Sequence, residues 1–330
     1  MAATLVHQIG PLGLAPWRSV NDHMVMSTKS LIFSTPAYAP LTAQVIAVAA
    51  DLETGVIERR DFPDGERYQR IASVVDHRDC VVLGGTGCDA DTLDLFDLGA
   101  GLVAQGAQSL SFVIPYFGYG TMDRPVKPGE IVTAKTRALL LSSVKPARAG
   151  NQVFLLDAHN EGLPSYFEGA TRAFHLYGEP VILPAIRAAG GDDFVLGSVD
   201  GGRAKWVGHF ADELGVDVAL VLKRRLSGVE TEVVGISAPV RGRRVVIYDD
   251  MIRTGGSLIS SGEAYRKEGA SSLAVVATHA VLPDGALERL RECGLFDSIT
   301  VTDSHPRARA LEGDFLHVIS CAPVLAAPFC

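Results

Sequence analysis

Val245-Val246-Ile247-Tyr248-Asp249-Asp250-Met251-Ile252-Arg253-Thr254-Gly255-Gly256-Ser257-Leu258 is the stretch from which the rest of the chain can be read. Its opening apolar run is too short for a helix and suits a strand buried on both faces. Two adjacent carboxylates end the run, a Thr-Gly-Gly-Ser turn follows, and a helical pattern begins at once. The glycine N–H groups, the Thr254 and Ser257 hydroxyls and the helix N-terminus make an anion cradle of phosphate size. Carboxylates repel phosphate, so Asp249 and Asp250 are expected to face sugar hydroxyls or a metal. Together Asp249, Asp250, Thr254, Gly255, Gly256 and Ser257 predict a phosphorylated sugar held at both ends. The stretch is no P-loop, because no Gly-Lys-Ser/Thr follows four spacers.

The same alternation recurs outward from this loop. Short apolar runs at 30–36, 80–85, 109–117, 152–159, 194–200, 217–225, 272–280 and 298–304 read as further buried strands. The stretches 91–105 and 202–214 read as amphipathic helices. Alternating strands and helices imply parallel sheets with crossover helices. At ~150 residues per domain, 330 residues suggest two domains. We expect an irregular extension over 1–28, one α/β domain over 29–176 and a second over 177–330.

Composition narrows the function. Apolar residues make up 47% and charged residues 21%, as in a globular chain rather than a disordered one. The balance of 30 Lys+Arg against 38 Asp+Glu excludes a nucleic-acid binder that works through bulk positive charge. No apolar run reaches the ~18 residues of a membrane span, and no secretory signal opens the chain. The 5 cysteines form no CxxC pair, so a reducing cytoplasm is the expected location. No Gly-x-Ser-x-Gly elbow supports hydrolase chemistry, and the histidines show no zinc-like pairing.

The acidic loop resembles the phosphoribosyl-pyrophosphate loop of type I phosphoribosyltransferases and of ribose-phosphate diphosphokinases, the PRPP synthetases. Other segments favour the synthetases. Phe62-Pro63-Asp64-Gly65-Glu66 is similar to their nucleotide-binding loop, and Ile114–Tyr119 with Asp123-Arg124 and Thr133-Ala134-Lys135 to their second nucleotide segment. Asp157-Ala158-His159, Asp200, Lys223-Arg224-Arg225, Thr278-His279 and Val301–Ser304 follow in family order. Alone, each has a plainer reading: a core histidine, a turn aspartate, a solvated basic strand end. Their joint order overturns those readings. A simple phosphoribosyltransferase would leave the first half unexplained.

The resemblance implies two type I phosphoribosyltransferase-like domains, each a mainly parallel sheet flanked by helices. It implies Mg²⁺-dependent transfer of the diphosphoryl group of ATP to the anomeric hydroxyl of ribose 5-phosphate. Phe62, Asp64, Glu66, Asp123, Arg124 and His159 would bind nucleotide, and His159 and Asp200 would hold the metal. Lys223, Arg225 and His159 would act on the transferring group. Activity across a subunit boundary implies a homo-oligomer, with neither nucleic acid nor membrane as partner.

The chain departs from the family inside the site. Thr121 and Met122 stand where the family places Arg-Gln, and the loop that follows is one residue shorter. The family's Asp-x-Gly-Gly becomes Asp200-Gly201-Gly202-Arg203, Trp206 replaces a nearby Arg, and Arg253 replaces a third acid. Three readings accommodate this: a synthetase with compensating contacts from Arg203 or Arg124, an inactive regulatory homologue, or transfer to a larger acceptor such as ADP-ribose. Arg253 and Trp206 would suit the last, as a cation for an extra phosphate and a flat ring for a base. The survival of Asp249, Asp250, His159, Lys223 and Arg225 favours a working enzyme.

Overall fold

The computed structural model describes residues 29–225 and 231–330; the extension expected over 1–28 lies outside them. In the first half, strands β1 (Ser30–Ser34), β2 (Leu52–Thr54), β3 (Ile57–Asp61), β4 (Arg67–Ile71), β5 (Asp79–Leu83), β6 (Ser109–Ile114), β7 (Asn151–Leu156) and β8 (Thr171–Leu176) alternate with helices α1 (Ala39–Val48), α2 (Asp89–Ala104) and α3 (Thr133–Ser142). Six of these strands form a sheet in the order β2-β1-β5-β6-β7-β8, with every pair parallel. Strands β3 and β4 stand apart as an antiparallel hairpin.

In the second half come α4 (Glu179–Gly190), β9 (Val195–Ser198), α5 (Ala204–Leu214), β10 (Asp217–Ala219), β11 (Val221–Arg225), β12 (Thr231–Ile236), β13 (Arg244–Ile252) and α6 (Gly256–Lys267). They continue with β14 (Ser272–Ala280), α7 (Ala286–Glu292), β15 (Ser298–Thr302), α8 (Arg307–Ala310), β16 (Leu316–Ile319) and α9 (Ala322–Ala326). The second sheet is also parallel throughout, in the order β10-β9-β13-β14-β15-β16. The chain therefore has two domains, each a parallel sheet flanked by helices.

Burial explains why β13 reads as one apolar run. It lies between β9 and β14, so both faces are covered. Val245 and Ile247 enter one hydrophobic cluster, and Val246 and Tyr248 enter another on the opposite face. The continuous run expected over 217–225 divides in two. Asp217–Ala219 pairs with β9, and the chain then leaves the sheet to form the antiparallel β11–β12 hairpin. The split is invisible in the sequence because both pieces are β-rich and only a partner strand distinguishes them. The chain's end returns to the first domain. Cys321, Val324 and Leu325 pack with Tyr38, Leu41 and Val45, and the Ser320 hydroxyl donates to Gln44 Oε1 at 2.5 Å.

Candidate active site

Parallel strands send their side chains into a shared region at their carboxyl ends, and here those ends of the two sheets meet. The Asp157 carboxylate, just past β7, accepts from the backbone N–H of Gly178 at 2.9 Å and the hydroxyl of Thr278 on β14 at 2.6 Å. Its carbonyl bonds to His279 Nε2 at 3.2 Å, and His279 Nδ1 bonds to Ser304 at 2.8 Å. Tyr116, after β6, meets the edges of His279 and His305 with ring centres 5.3 and 5.0 Å apart. The sequence reading placed Asp157 in a motif without a role. It joins the two domains.

This junction makes stability pH-dependent. Desolvation first, then the charges of His279 and Arg307, push His305 from its usual 6.5 down to about 4. The His305 ring accepts at Nδ1 from the Arg307 N–H at 3.2 Å, which suits the neutral form. Below pH ~6.5 the unfolded chain takes up a proton that the folded chain refuses until pH ~4. Stability is therefore lost as pH falls through that window, by up to ~3 kcal/mol. His305→Gln should flatten urea-unfolding free energy between those pH values; an unchanged slope would assign the effect to other groups.

A cavity of about 760 Å³ opens beside the junction. On one wall are Arg253, Thr254, Gly255, Gly256 and Ser257, where β13 hands over to α6. Gly255 sits at φ 81°, a left-handed conformation that admits glycine readily, and its carbonyl accepts from Ile259 N–H at 2.9 Å to start the helix. No side chain caps α6, so its first N–H groups are available to an anion. Arg289 of α7 donates to the Thr254 carbonyl at 3.1 Å and props the loop from behind.

Asp123, Arg124, His159, Asp200 and Asp249 line the same cavity. Asp123 is buried, held by Asn160 and accepting at its carbonyl from the Tyr166 hydroxyl. Asp200 caps the turn Gly201–Arg203, its Oδ1 accepting from Gly202 N–H at 2.8 Å. The acidic doublet is divided. Asp249 faces the cavity, whereas Asp250 is 3% exposed and both its oxygens are engaged. His159 Nδ1 donates to Asp250 Oδ2 at 2.7 Å, and Arg203 reaches Oδ1 through Nε at 3.0 Å and Oδ2 through Nη2 at 2.6 Å. Both carboxylates were expected to face sugar hydroxyls or a metal; alternation along the strand turns Asp249 to the cavity and Asp250 to Arg203 and His159.

The two acids also differ in charge. Burial works to raise Asp250, but the His159 hydrogen bond and the Arg203 charge outweigh it and hold the carboxyl at about 2. Asp249 shifts the other way, because desolvation and then the neighbouring Asp250 charge raise it well above the usual carboxylate range. The doublet is thus split: His159 and Arg203 favour the charged form of Asp250, whereas burial and Asp250 itself disfavour that of Asp249.

Other expected site residues stand elsewhere. Phe62, Asp64 and Glu66 form the exposed tip of the β3–β4 hairpin and do not line this cavity. Asp64 Oδ1 accepts from Glu66 N–H at 3.1 Å, and Arg60 lies 4.7 Å from the centre of the Phe62 ring. Lys223 and Arg225 belong to β11, whose backbone runs beside the turn Gly201–Arg203; their side chains lie outside the described residues. Arg253 lines the cavity and donates to the Thr121 hydroxyl of the other domain at 3.3 Å. Trp206 touches the cavity but is packed among Tyr177 and Phe210, with ring centres at 5.1 and 5.6 Å. The sequence offered Arg203 as a family departure and a source of compensating contacts, but did not specify Asp250 as its partner.

Two family models match the chain: the N-terminal domain of ribose phosphate pyrophosphokinase over residues 30–144, and the phosphoribosyl transferase domain over residues 185–296. A ribose-phosphate pyrophosphokinase of Helicobacter hepaticus is 32% identical over 298 residues, 89% of this chain and 93% of the relative. One of Synechococcus elongatus is 30% identical, covering 94% of this chain and 92% of its own. The crystal structure of phosphoribosylpyrophosphate synthetase from Mycobacterium smegmatis superposes with a TM-score of 0.80 at 27% identity, covering 91% of this chain and 98% of that one.

Proposed function

Since the chain belongs to the ribose-phosphate pyrophosphokinase family, we propose that it transfers the β,γ-diphosphoryl group of ATP to the anomeric hydroxyl of ribose 5-phosphate, giving PRPP and AMP. The observation that carries this reading is that one cavity holds the uncapped α6 N-terminus, the Asp249 carboxyl, His159 and Asp200. The sugar phosphate docks on the N–H groups of the Thr254–Ser257 loop, with the Thr254 and Ser257 hydroxyls as further partners. Asp249 accepts from the ribose hydroxyls. This end-to-end grip fixes the anomeric oxygen for in-line attack, and positioning is the larger part of catalysis in phosphoryl transfer.

Arg124, Arg253 and Lys205 line the cavity and supply positive charge for the triphosphate. Lys223 and Arg225, on the hairpin beside it, stabilise the transferring group. Magnesium suits the donors present. Among the described residues, His159 Nε2 and Asp200 Oδ2 make no hydrogen bond, and no cluster of three His, Cys, Asp or Glu forms a closed metal cage. One nitrogen and one carboxylate would hold Mg²⁺ while leaving the other positions to water and phosphate oxygens, and the bound ion supplies charge neutralisation.

Phe62, Asp64 and Glu66 complete the nucleotide site from a neighbouring copy, which makes the enzyme a homo-oligomer. The domains divide at 176/177, with the C-terminal segment docked back onto the first. The enzyme works in the cytoplasm; its 5 cysteines are free, and no helix among the described residues is long and apolar enough to cross a membrane.

Purified protein with ATP, Mg²⁺ and ribose 5-phosphate should release AMP in step with PRPP; absence of AMP under these conditions would refute the reading. Asp249→Ala should raise KM for ribose 5-phosphate roughly 10- to 100-fold, as expected from losing one or two hydrogen bonds to the sugar. An unchanged KM would move the sugar to another place.

A further inference from the structure

We propose that Arg203 is the positioning residue of this enzyme: it clamps Asp250 and His159 together across the domain junction and so fixes which nitrogen His159 offers to the cavity. The inference rests on the proposed diphosphoryl transfer for its consequence in turnover, and on geometry alone for the clamp. Arg203 makes four contacts at once, one of them between Nη2 and His159 Nδ1 at 3.1 Å. Its Nε and Nη2 bind the two oxygens of Asp250 at 3.0 and 2.6 Å, and Nη2 also donates to the His159 backbone carbonyl at 2.8 Å. His159 follows β7 of the first domain, while Asp250 lies in β13 and Arg203 follows β9 of the second. The guanidinium is thus the one group among the described residues that holds both sides of the His159–Asp250 contact.

A planar fork with two fixed N–H directions matches a carboxylate edge-on, so the carboxylate cannot rotate without breaking a bond. A fixed carboxylate keeps accepting from His159 Nδ1–H at 2.7 Å, and the ring is held as the tautomer with its lone pair on Nε2. Fixing the His159 carbonyl as well stops the ring from following the backbone. Trp206, one helical turn on, brings no charge and is wedged against Tyr177 and Phe210, so it cannot take over. The Arg203 and Asp250 side chains are 14% and 5% exposed, which shields the pair from competing water.

Arg203→Met leaves Asp250 buried without its cation, so the informative variant is Arg203→Met with Asp250→Asn, which removes the charge pair together. In this double variant kcat should fall about 100-fold, with KM for ATP and for ribose 5-phosphate within threefold of the parent. Arg203→Lys, which keeps the charge but loses the fork, should recover part of the loss. Long-range ¹H–¹⁵N spectra of ¹⁵N-histidine-labelled protein should show His159 as a single Nδ1–H tautomer in the parent and as a mixture in the double variant. A kcat within threefold of the parent, or an unchanged single tautomer, would overturn the proposal. If the parent itself makes no AMP, the functional reading fails, while the spectra still decide the clamp.

Discussion

Lys223→Ala should lower turnover about 10³-fold while KM for both substrates stays within a few-fold. A cation that meets charge only as the diphosphoryl group leaves ATP contributes to the transition state and little to the ground state. Cations of this kind are worth roughly 10³–10⁵ in phosphoryl transfer. The backbone of β11 leaves the sheet after β10, passes the turn that carries Asp200 and Arg203, and shifts register between Leu222 and Lys223. Steady-state kinetics with each substrate varied in turn separate the outcomes. A KM raised by the full factor at unchanged turnover would make Lys223 an ordinary binding residue.

Gly255→Ala should raise KM for ribose 5-phosphate by ~10- to 100-fold through distortion of the phosphate loop. Gly255 has φ 81°, and a Cβ there would lie 2.8 Å from Leu290 Cγ, inside any real contact distance. The left-handed conformation costs about 1–2 kcal/mol for a non-glycine residue, and overpacking a fully buried leucine adds about 1–3 kcal/mol. Relief of that strain swings the loop off α7 and tilts the α6 N–H groups away from the phosphate. Combining Gly255→Ala with Leu290→Ala removes the clash and retains the dihedral strain, so it should recover part of the affinity. If the single substitution leaves KM unchanged, the sugar phosphate does not sit on this turn.

Much of the fold was legible before the structure. The β13 run and the crossover helix α6 are written in local composition, because a strand covered on both faces must be apolar throughout and a helix entered through Gly-Gly needs no side-chain cap. Strands β8 and β16 escaped notice: each mixes polar residues into a short run and lies at a sheet edge, where one flank lacks a partner and the apolar demand is weaker. The Phe62–Glu66 motif was visible, yet its place at the exposed tip of a hairpin was not, since β3 and β4 are rich in charge and owe their pairing to each other.

By itself the amino-acid order determined the two-domain α/β architecture, the Gly-Gly turn that opens α6 and the presence of cations and acids in family order, because these depend on neighbours within a few residues. Tertiary structure alone decided which acid of the doublet lines the cavity and which one is spent on Arg203. It also decided that Asp157 joins the domains and that the chain's end packs on its beginning. Those outcomes turn on pairs such as Arg203 with Asp250 and Asp157 with Thr278, far apart in sequence and brought within 3 Å only when both sheets have formed. A charge does not announce its partner; burial supplies the energetic reason for the pairing, and burial is a property of the folded chain.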